Sequence, residues 1–451
     1  MKVMSLIRPP GPRAWPLLGN APAFARDPIG FARSCQETYG DIIQLNLFGV
    51  HGYLVLHPSD VEHVLVKKQK LYSKETRGVR KLQTVFGEGL LTSNGDFWRR
   101  QRRIAQPAFR KGTIASFAET MGTCAIDMCE AWSDSYLQVP DFDLYDEMMK
   151  VTLRVVGETL LGQDVSDASS KVGSALEQAI HITNRRVVRP FDIPTWLPTP
   201  ENVALKRAIR DLDDVVHRMI EHERRSPEPS GNLLSMLLHA KDPETQESMS
   251  DRELRDEVLI AFVAGHETTA NTLAWFWYNL ATHPECAETI RQEVHTAFGD
   301  SPISDLESIQ KLTFTTAAIE ETMRLYPPGW WFARLAIEDD EIRGYPVKAG
   351  DHIWMCAYLS QRHHEFWADA ERFLPERHLD PRSRPKLASF PFGAGPRHCI
   401  GSHFAMLEMK IIIAAVIQRF TMTVPDGFRV EVNPSTTLRP RYGLRMNLAT
   451  T

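Results

Sequence analysis

Apolar residues recur every three or four positions from Pro58 to about Gln310, the period of helices that each bury one face. Ahead of them, DIIQLNLFGVHGYLVLHPSD (41–60) alternates apolar with polar positions, which predicts a β-hairpin turning near Gly49 to Gly52. PFDIPTWLPTPENVALKR (190–207) reads as a proline-punctuated connection between helices. RRSPEPSGN (224–232) reads as a polar loop, because the helical pattern resumes at once. Beyond Pro327 extended segments return, a last helix follows Cys399, and short strands close the chain. The pattern describes a mainly helical chain with a small β region, no repeats and no obvious cut point.

The best-defined element is MSDRELRDEVLIAFVAGHETTANTLAWFWYNLATHPE. Ser250 with Glu253 forms a capping box, and His283-Pro284 marks the stop. Roughly 30 residues at about 1.5 Å each would run about 45 Å, enough to cross a domain. Its centre is apolar on nearly all sides, yet contains Ala264-Gly265-His266-Glu267-Thr268-Thr269. A mid-helix glycine costs about 1 kcal/mol against alanine, and a buried carboxylate costs more unless partnered. One reading is a tolerated kink with Glu267 facing an arginine of another helix. The other is that Gly265 lets something approach the backbone, with Glu267 and Thr268 as a proton-delivery pair in an apolar pocket.

Glu321 and Arg324 stand three apart on a helix that must end before Pro327-Pro328. As an exposed ion pair this would be worth under about 1 kcal/mol. A second acid and base, Glu376 and Arg377, follow Pro375, and a further arginine on a buried pair would make a planar, multidentate network. Near the C-terminus, FPFGAGPRHCIG (390–401) crowds three glycines and two prolines around Cys399. That thiol is a buried structural cysteine, part of an ordinary turn, or a ligand or nucleophile.

With 451 residues, 43% hydrophobic and 24% charged, the chain can bury a large core. Its net charge of −5 argues against a protein that coats nucleic acid. The six cysteines show no CxxC spacing, which argues against a disulfide framework or structural zinc and for a reducing compartment. No run approaches the roughly 18 uninterrupted apolar residues of a spanning helix. The expectation is a cytoplasmic protein with no membrane span.

Taken together, the motifs resemble the cytochrome P450 haem-thiolate monooxygenases. The cysteine loop F-x-x-G-x-R-x-C-x-G is matched by Phe392, Gly395, Arg397, Cys399 and Gly401, and A-G-x-[DE]-T by Ala264, Gly265, Glu267 and Thr268. E-x-x-R is matched by Glu321 and Arg324, and W-x-x-x-R by Trp98 and Arg102. The meander motif appears as Phe373, Pro375, Glu376 and Arg377, with His378 in place of the last aromatic.

The resemblance implies one mainly helical domain over 1–451 with a small β region, residues 1–8 flexible and no fused reductase. Haem b would lie between the long central helix and the helix after Cys399. Cys399 would be the axial iron ligand, and Arg397, Arg102, Trp98 and Arg334 would hold the propionates. Gly393, Gly395 and Gly401 would give room around the sulfur, and Phe392 would flank it. Ala264 and Gly265 would make room for dioxygen. Thr268 would hold water by hydrogen bonds while Glu267 relays protons, and His266 would face away. Thr269 would be the active hydroxyl if the register were shifted by one. Glu321, Arg324 and Arg377 would support the proximal side, and the remaining cysteines would be ordinary core or surface residues.

The implied activity inserts one oxygen atom from O2, by hydroxylation or epoxidation, into a lipophilic substrate such as a fatty acid, terpenoid or polyketide. A peroxygenase or a non-oxygenating enzyme of the same fold is the alternative. A haem-binding sensor and a cysteine-nucleophile hydrolase are alternatives of other classes, though nothing singles out the His and Asn or Asp a hydrolase needs. Substrate contacts transfer poorly; by analogy they fall at 74–91, 180–196, 261–264, 329–332 and 435–438, with Ala261, Trp330, Trp331, Phe332 and Thr437 as candidates. Electrons would come from a separate ferredoxin or flavodoxin with its reductase. Arg99, Arg100, Arg102 and Arg103, with Arg110 and Lys111 nearby, form either a docking face for it or a solvated face. The expected state is a monomer. PPGPRAWPLLGN resembles the hinge that follows the anchor of microsomal members, with no anchor ahead of it.

Overall fold

The computed structural model describes residues 8–47, 49–135, 142–162, 193–226, 230–380 and 386–451, with single positions at 382 and between 175 and 186. The expectation of a flexible 1–8 falls outside these except at Arg8, as does much of the 180–196 substrate region.

The central helix runs over Asp251–Thr282, and the expected capping box is present. Glu253 N–H donates to Ser250 Oγ (3.3 Å), and Ser250 N–H donates to Glu253 Oε2 (2.7 Å). These bonds satisfy amides that a helix start leaves without intrahelical partners. The helix packs most extensively against Leu144–Leu161, and also against Thr313–Leu325 and Pro200–Arg225. At the closest crossing, a Cβ on Gly265 would stand 3.0 Å from Val156 Cγ2. Thr152 Oγ1 there donates to the His266 carbonyl (3.2 Å). The missing side chain of Gly265 thus lets a neighbouring helix approach. The connection expected over 190–207 ends early: Thr199 Oγ1 accepts from Asn202 N–H (3.2 Å) and starts Pro200–Arg225.

The five-stranded sheet has the order Ile42–Leu47, Val50–Val55, His352–Cys356, Trp331–Ala336, Tyr72–Ser73. Val50–Val55 runs parallel to His352–Cys356, and the other pairs are antiparallel. The expected hairpin forms, with Leu47 opposite Val50 and Gly49 at φ +78°. Gly52 lies inside the second strand rather than in the turn. A Cβ there would meet the His352 carbonyl at 2.0 Å, so glycine is what lets the parallel neighbour close.

One large apolar cluster unites the helices around the central one, with Trp132 and Phe276 fully buried. Smaller clusters lie on the two faces of the sheet. Among the described residues no helix is long and apolar enough to cross a membrane.

Candidate active site

The loop around Cys399 is fixed by its own backbone. Gly393 N–H donates to Phe390 O (2.8 Å), His398 N–H to Gly395 O (3.0 Å) and Cys399 N–H to Phe392 O (2.9 Å). Gly395 has φ +66°, and a Cβ there would meet Leu65 O at 2.2 Å. Gly393 has φ +71°, while Gly401 caps the helix Ser402–Ile417. Phe392 is half-buried, its ring 6.2 Å from that of His398. Five cysteines are buried; Cys399 lies deep in the molecule, yet its side chain has an open face. Burial pushes its pKa up, while the Gly401 amide, Arg102 and Lys74 favour the thiolate.

Four cations gather beside this thiol. Arg334 is buried; Lys74, Arg102 and Arg397 are half-buried. Arg397 donates to Ser93 O (2.9 Å) and Asn94 Oδ1 (3.2 Å), and its guanidinium lies 3.9 Å from the centre of the Trp98 ring. Arg334 donates to Ala333 O (2.8 Å), and Lys74 Nζ to Leu91 O (2.7 Å). Among the described residues none of the four pairs with a carboxylate. Burial, then the charges of Arg334 and Arg397, push Lys74 down to about 7. Burial, then Arg334 and Arg102, push Arg397 down to about 9, and burial takes Arg334 to about 10. Buried cations of one sign without counter-charge are costly. A group bearing two carboxylates and an iron fits this donor set: propionates meet the cations, and iron meets the open sulfur. Lys74 stands in no sequence motif; sequence reasoning placed it at the edge of the 74–91 substrate region and missed it as a cation of this cluster.

On the central helix, Ala261, Ala264 and Thr268 share one face. Ala264 is exposed although the helix is buried around it. Thr268 Oγ1 donates to Ala264 O (2.7 Å) and is half-buried. Thr269 is buried and donates to Gly265 O (2.9 Å). His266 is buried with Nδ1 3.2 Å from Phe262 O, and burial pushes its pKa down. Glu267 is buried and faces the 435–438 turn, where Thr437 Oγ1 donates to its Oε1 (2.6 Å).

The aromatic run divides by strand alternation. Trp331 lies 5.0 Å from Phe24 on the outer face, while Phe332 lies 5.7 Å from Phe390 on the face shared with Arg334. Trp330 is 5% exposed and its indole donates to Ser435 O (2.7 Å). These contacts commit Trp330 to packing and set Trp331 against Phe24. Phe332 keeps the inner face.

Glu321 and Arg324 are fully buried, not a surface pair. Arg324 forms a bidentate pair with Glu321 (2.7 and 2.8 Å), donates to Gln361 O, Ala370 O and Arg372 O, and lies 4.8 Å from the centre of the Trp367 ring. Arg377 Nε approaches Glu321 at 3.4 Å. Gln361 donates to Met323 O and Arg324 O and accepts from Phe390 N–H (2.7 Å), joining this network to the start of the cysteine loop.

The basic run is largely balanced within the chain. Arg99 pairs with Asp96, Arg100 with Glu253 (2.8 Å) and Arg103 with Asp242 (2.8 Å), while Arg102 turns toward Cys399. Arg110 and Lys111 remain exposed.

Residues 9–447 match the sequence pattern of the family described as Cytochrome P450. The chain belongs to the cytochrome P450 family. This P450 is 34% identical to cyclooctat-9-en-7-ol 5-monooxygenase of Streptomyces melanosporofaciens over 92% of this chain and 90% of that one. It is 31% identical to cyclooctatin synthase of the same organism, over 95% and 92% of the two chains. It is 31% identical to pentalenene oxygenase of Streptomyces avermitilis, over 97% and 96%. The enzyme is a haem-dependent monooxygenase, and haem b is its cofactor.

Proposed function

We propose that this P450 hydroxylates or epoxidises a terpenoid, with Cys399 as the thiolate ligand of the iron. The observation that carries the site assignment is the open-faced Cys399 beside one buried and three half-buried cations that, among the described residues, pair with no carboxylate. The terpenoid class rests on the names of the relatives, two of which specify cyclooctat-9-en-7-ol and pentalenene. It also rests on the small side chains of Ala261 and Ala264, which leave the pocket face of the helix apolar and shallow.

Bound thiolate-ligated haem activates dioxygen, and the balanced reaction converts substrate, O2, two electrons and two protons into oxygenated substrate and water. Arg397, Arg334, Arg102 and Lys74 would hold the two propionates by charge-assisted hydrogen bonds, with Trp98 as a floor for Arg397. The Gly401 amide and the start of Ser402–Ile417 stabilise negative charge on Cys399 Sγ. Thr268 presents a hydroxyl that, released from Ala264 O, holds a water at the reacting face. Glu267 supplies that water with protons from outside the pocket.

The electron donor in this reading is a ferredoxin or flavodoxin, reaching the exposed Arg110 and Lys111 and the rim of the cysteine loop. The protein acts as a cytoplasmic, monomeric, single haem domain. Titrating terpene alcohols and hydrocarbons against fatty acids, and following the haem spin-state shift, tests the substrate class. Terpenoids are expected to give the saturable shift; a shift only with fatty acids overturns it.

A further inference from the structure

Among the described residues the hydrogen bond to the Glu267 carboxylate comes from one side chain, Thr437, whose Oγ1 donates to Oε1 over 2.6 Å. Both residues are buried, Glu267 7% and Thr437 8% exposed, so water does not compete freely for the bond. Thr437 does not move independently. Ser435 O accepts from the Trp330 indole (2.7 Å), Leu438 N–H donates to Pro328 O (3.0 Å), and Leu438 O accepts from the Trp275 indole (3.3 Å). Trp275 is itself stacked on Tyr326, with ring centres 4.1 Å apart and planes 4° from parallel. The hydroxyl is thus mounted on a clamped turn, while the carboxylate it holds sits on a side chain with three rotatable bonds.

The other groups around Glu267 leave its orientation to this bond. His266, next along the helix, bonds its own helix and is kept neutral by burial. Tyr145, from the neighbouring helix, has its phenol pushed up to about 12, first by burial and then by the Glu267 charge, with Arg439 pulling the other way. Tyr145 therefore stays protonated and supplies no charge to hold the acid.

We propose that Thr437 is a positioning residue for proton delivery: its hydroxyl sets the orientation of Glu267 and ties that orientation to the 435–438 turn. A hydrogen bond to a charged group shifts the population of the held orientation by about tenfold or more. A guest pressing on this turn then reaches the relay acid through one hydrogen bond, so that filling the pocket and supplying protons are mechanically linked. The inference rests on Glu267 being the relay acid.

The test uses the haem-loaded enzyme with NADPH, a plant-type ferredoxin and its reductase, and no organic substrate. Hydrogen peroxide released is measured per NADPH consumed, and the carbon-monoxide spectrum checks the haem site of each variant. Thr437→Val, which keeps the shape and removes the hydroxyl, is expected to raise the ratio about threefold or more; Thr437→Ser is expected to restore it. Glu267→Gln is expected to raise it as well. A Thr437→Val ratio equal to wild type beside a raised Glu267→Gln ratio overturns the positioning role and leaves the relay acid standing. A wild-type ratio in Glu267→Gln overturns the relay acid, and the inference with it. Equal rises in the Val and Ser variants assign the effect to packing of the turn and overturn the inference. Should Thr437→Val lose the carbon-monoxide spectrum, Thr437→Ala is read against Thr437→Ser by the same rule.

Discussion

His378 Nε2 lies 2.7 Å from Glu321 Oε2, with both side chains fully buried. The residue that departs from the usual aromatic of the meander is therefore a member of the Glu321–Arg324 network, and it also stacks on Trp367 with ring centres 5.8 Å apart. Arg324, then His378, hold the Glu321 carboxyl down to about 2 against the upward push of burial. The folded-state value lies below the ordinary 4.5, so the stability Glu321 brings is complete above about pH 4.5 and is lost as pH falls toward 2.

Acid unfolding of the enzyme is therefore expected to steepen between about pH 4.5 and 2, and His378→Phe is expected to destabilise by about 1–3 kcal/mol at neutral pH. Glu321→Gln, which leaves Arg324 buried without its counter-charge, is expected to cost about 3–5 kcal/mol. Chemical denaturation read by circular dichroism measures all three. A His378→Phe variant as stable as wild type would show that the histidine is only a filler.

Gly265→Ala separates two uses of the glycine. If its bare backbone serves the crossing with Val156, the added methyl meets Cγ2 at 3.0 Å and costs about 1–3 kcal/mol, more than the roughly 1 kcal/mol gained in helix propensity. Val156→Ala in the same chain should then recover much of the loss, a coupling that a double-mutant cycle in thermal unfolding measures. Additive effects would contradict the crossing as the reason for glycine.

Lys74→Met should move the two forms of the protein in opposite directions. Without haem the substitution removes one of four mutually repelling cations and keeps most of the aliphatic stem, which should stabilise the apoprotein by about 1–3 kcal/mol. With haem it removes a propionate partner, and transfer of haem to excess apomyoglobin should become several-fold faster. An apoprotein melting temperature unchanged or lowered by the substitution would place Lys74 outside the cluster.

Much of this site was legible in the chain because its pieces are local. Cys399 with its glycines, Glu267 beside Thr268, and Glu321 three residues before Arg324 each fall within one loop or helix, where spacing and covalent geometry are the same thing. Lys74 and Arg397 lie far apart in sequence, and only the fold brings them together, so no local pattern announces Lys74 as a cation of the site. Gln361 escapes for the same reason, and Thr437 was legible only as a substrate-pocket candidate, not as a partner of Glu267: each connects segments tens or hundreds of residues apart. Glycines hide differently. Gly52 and Gly265 signal that a side chain is missing, but not that the space goes to His352 O and to Val156. Trp330, Trp331 and Phe332 are consecutive, and only the register of Trp331 opposite Cys356 shows that Trp331 and Phe332 face opposite sides of the sheet.

The central claim is that Cys399 carries the iron. The spectrum of the reduced, carbon-monoxide-bound enzyme tests it most directly, with Cys399→Ser and the buried Cys356→Ser beside wild type. The account predicts a strongly red-shifted Soret band in wild type and Cys356→Ser, and its loss in Cys399→Ser. A red-shifted band that survives in Cys399→Ser, or that is missing from freshly purified wild type, would contradict it.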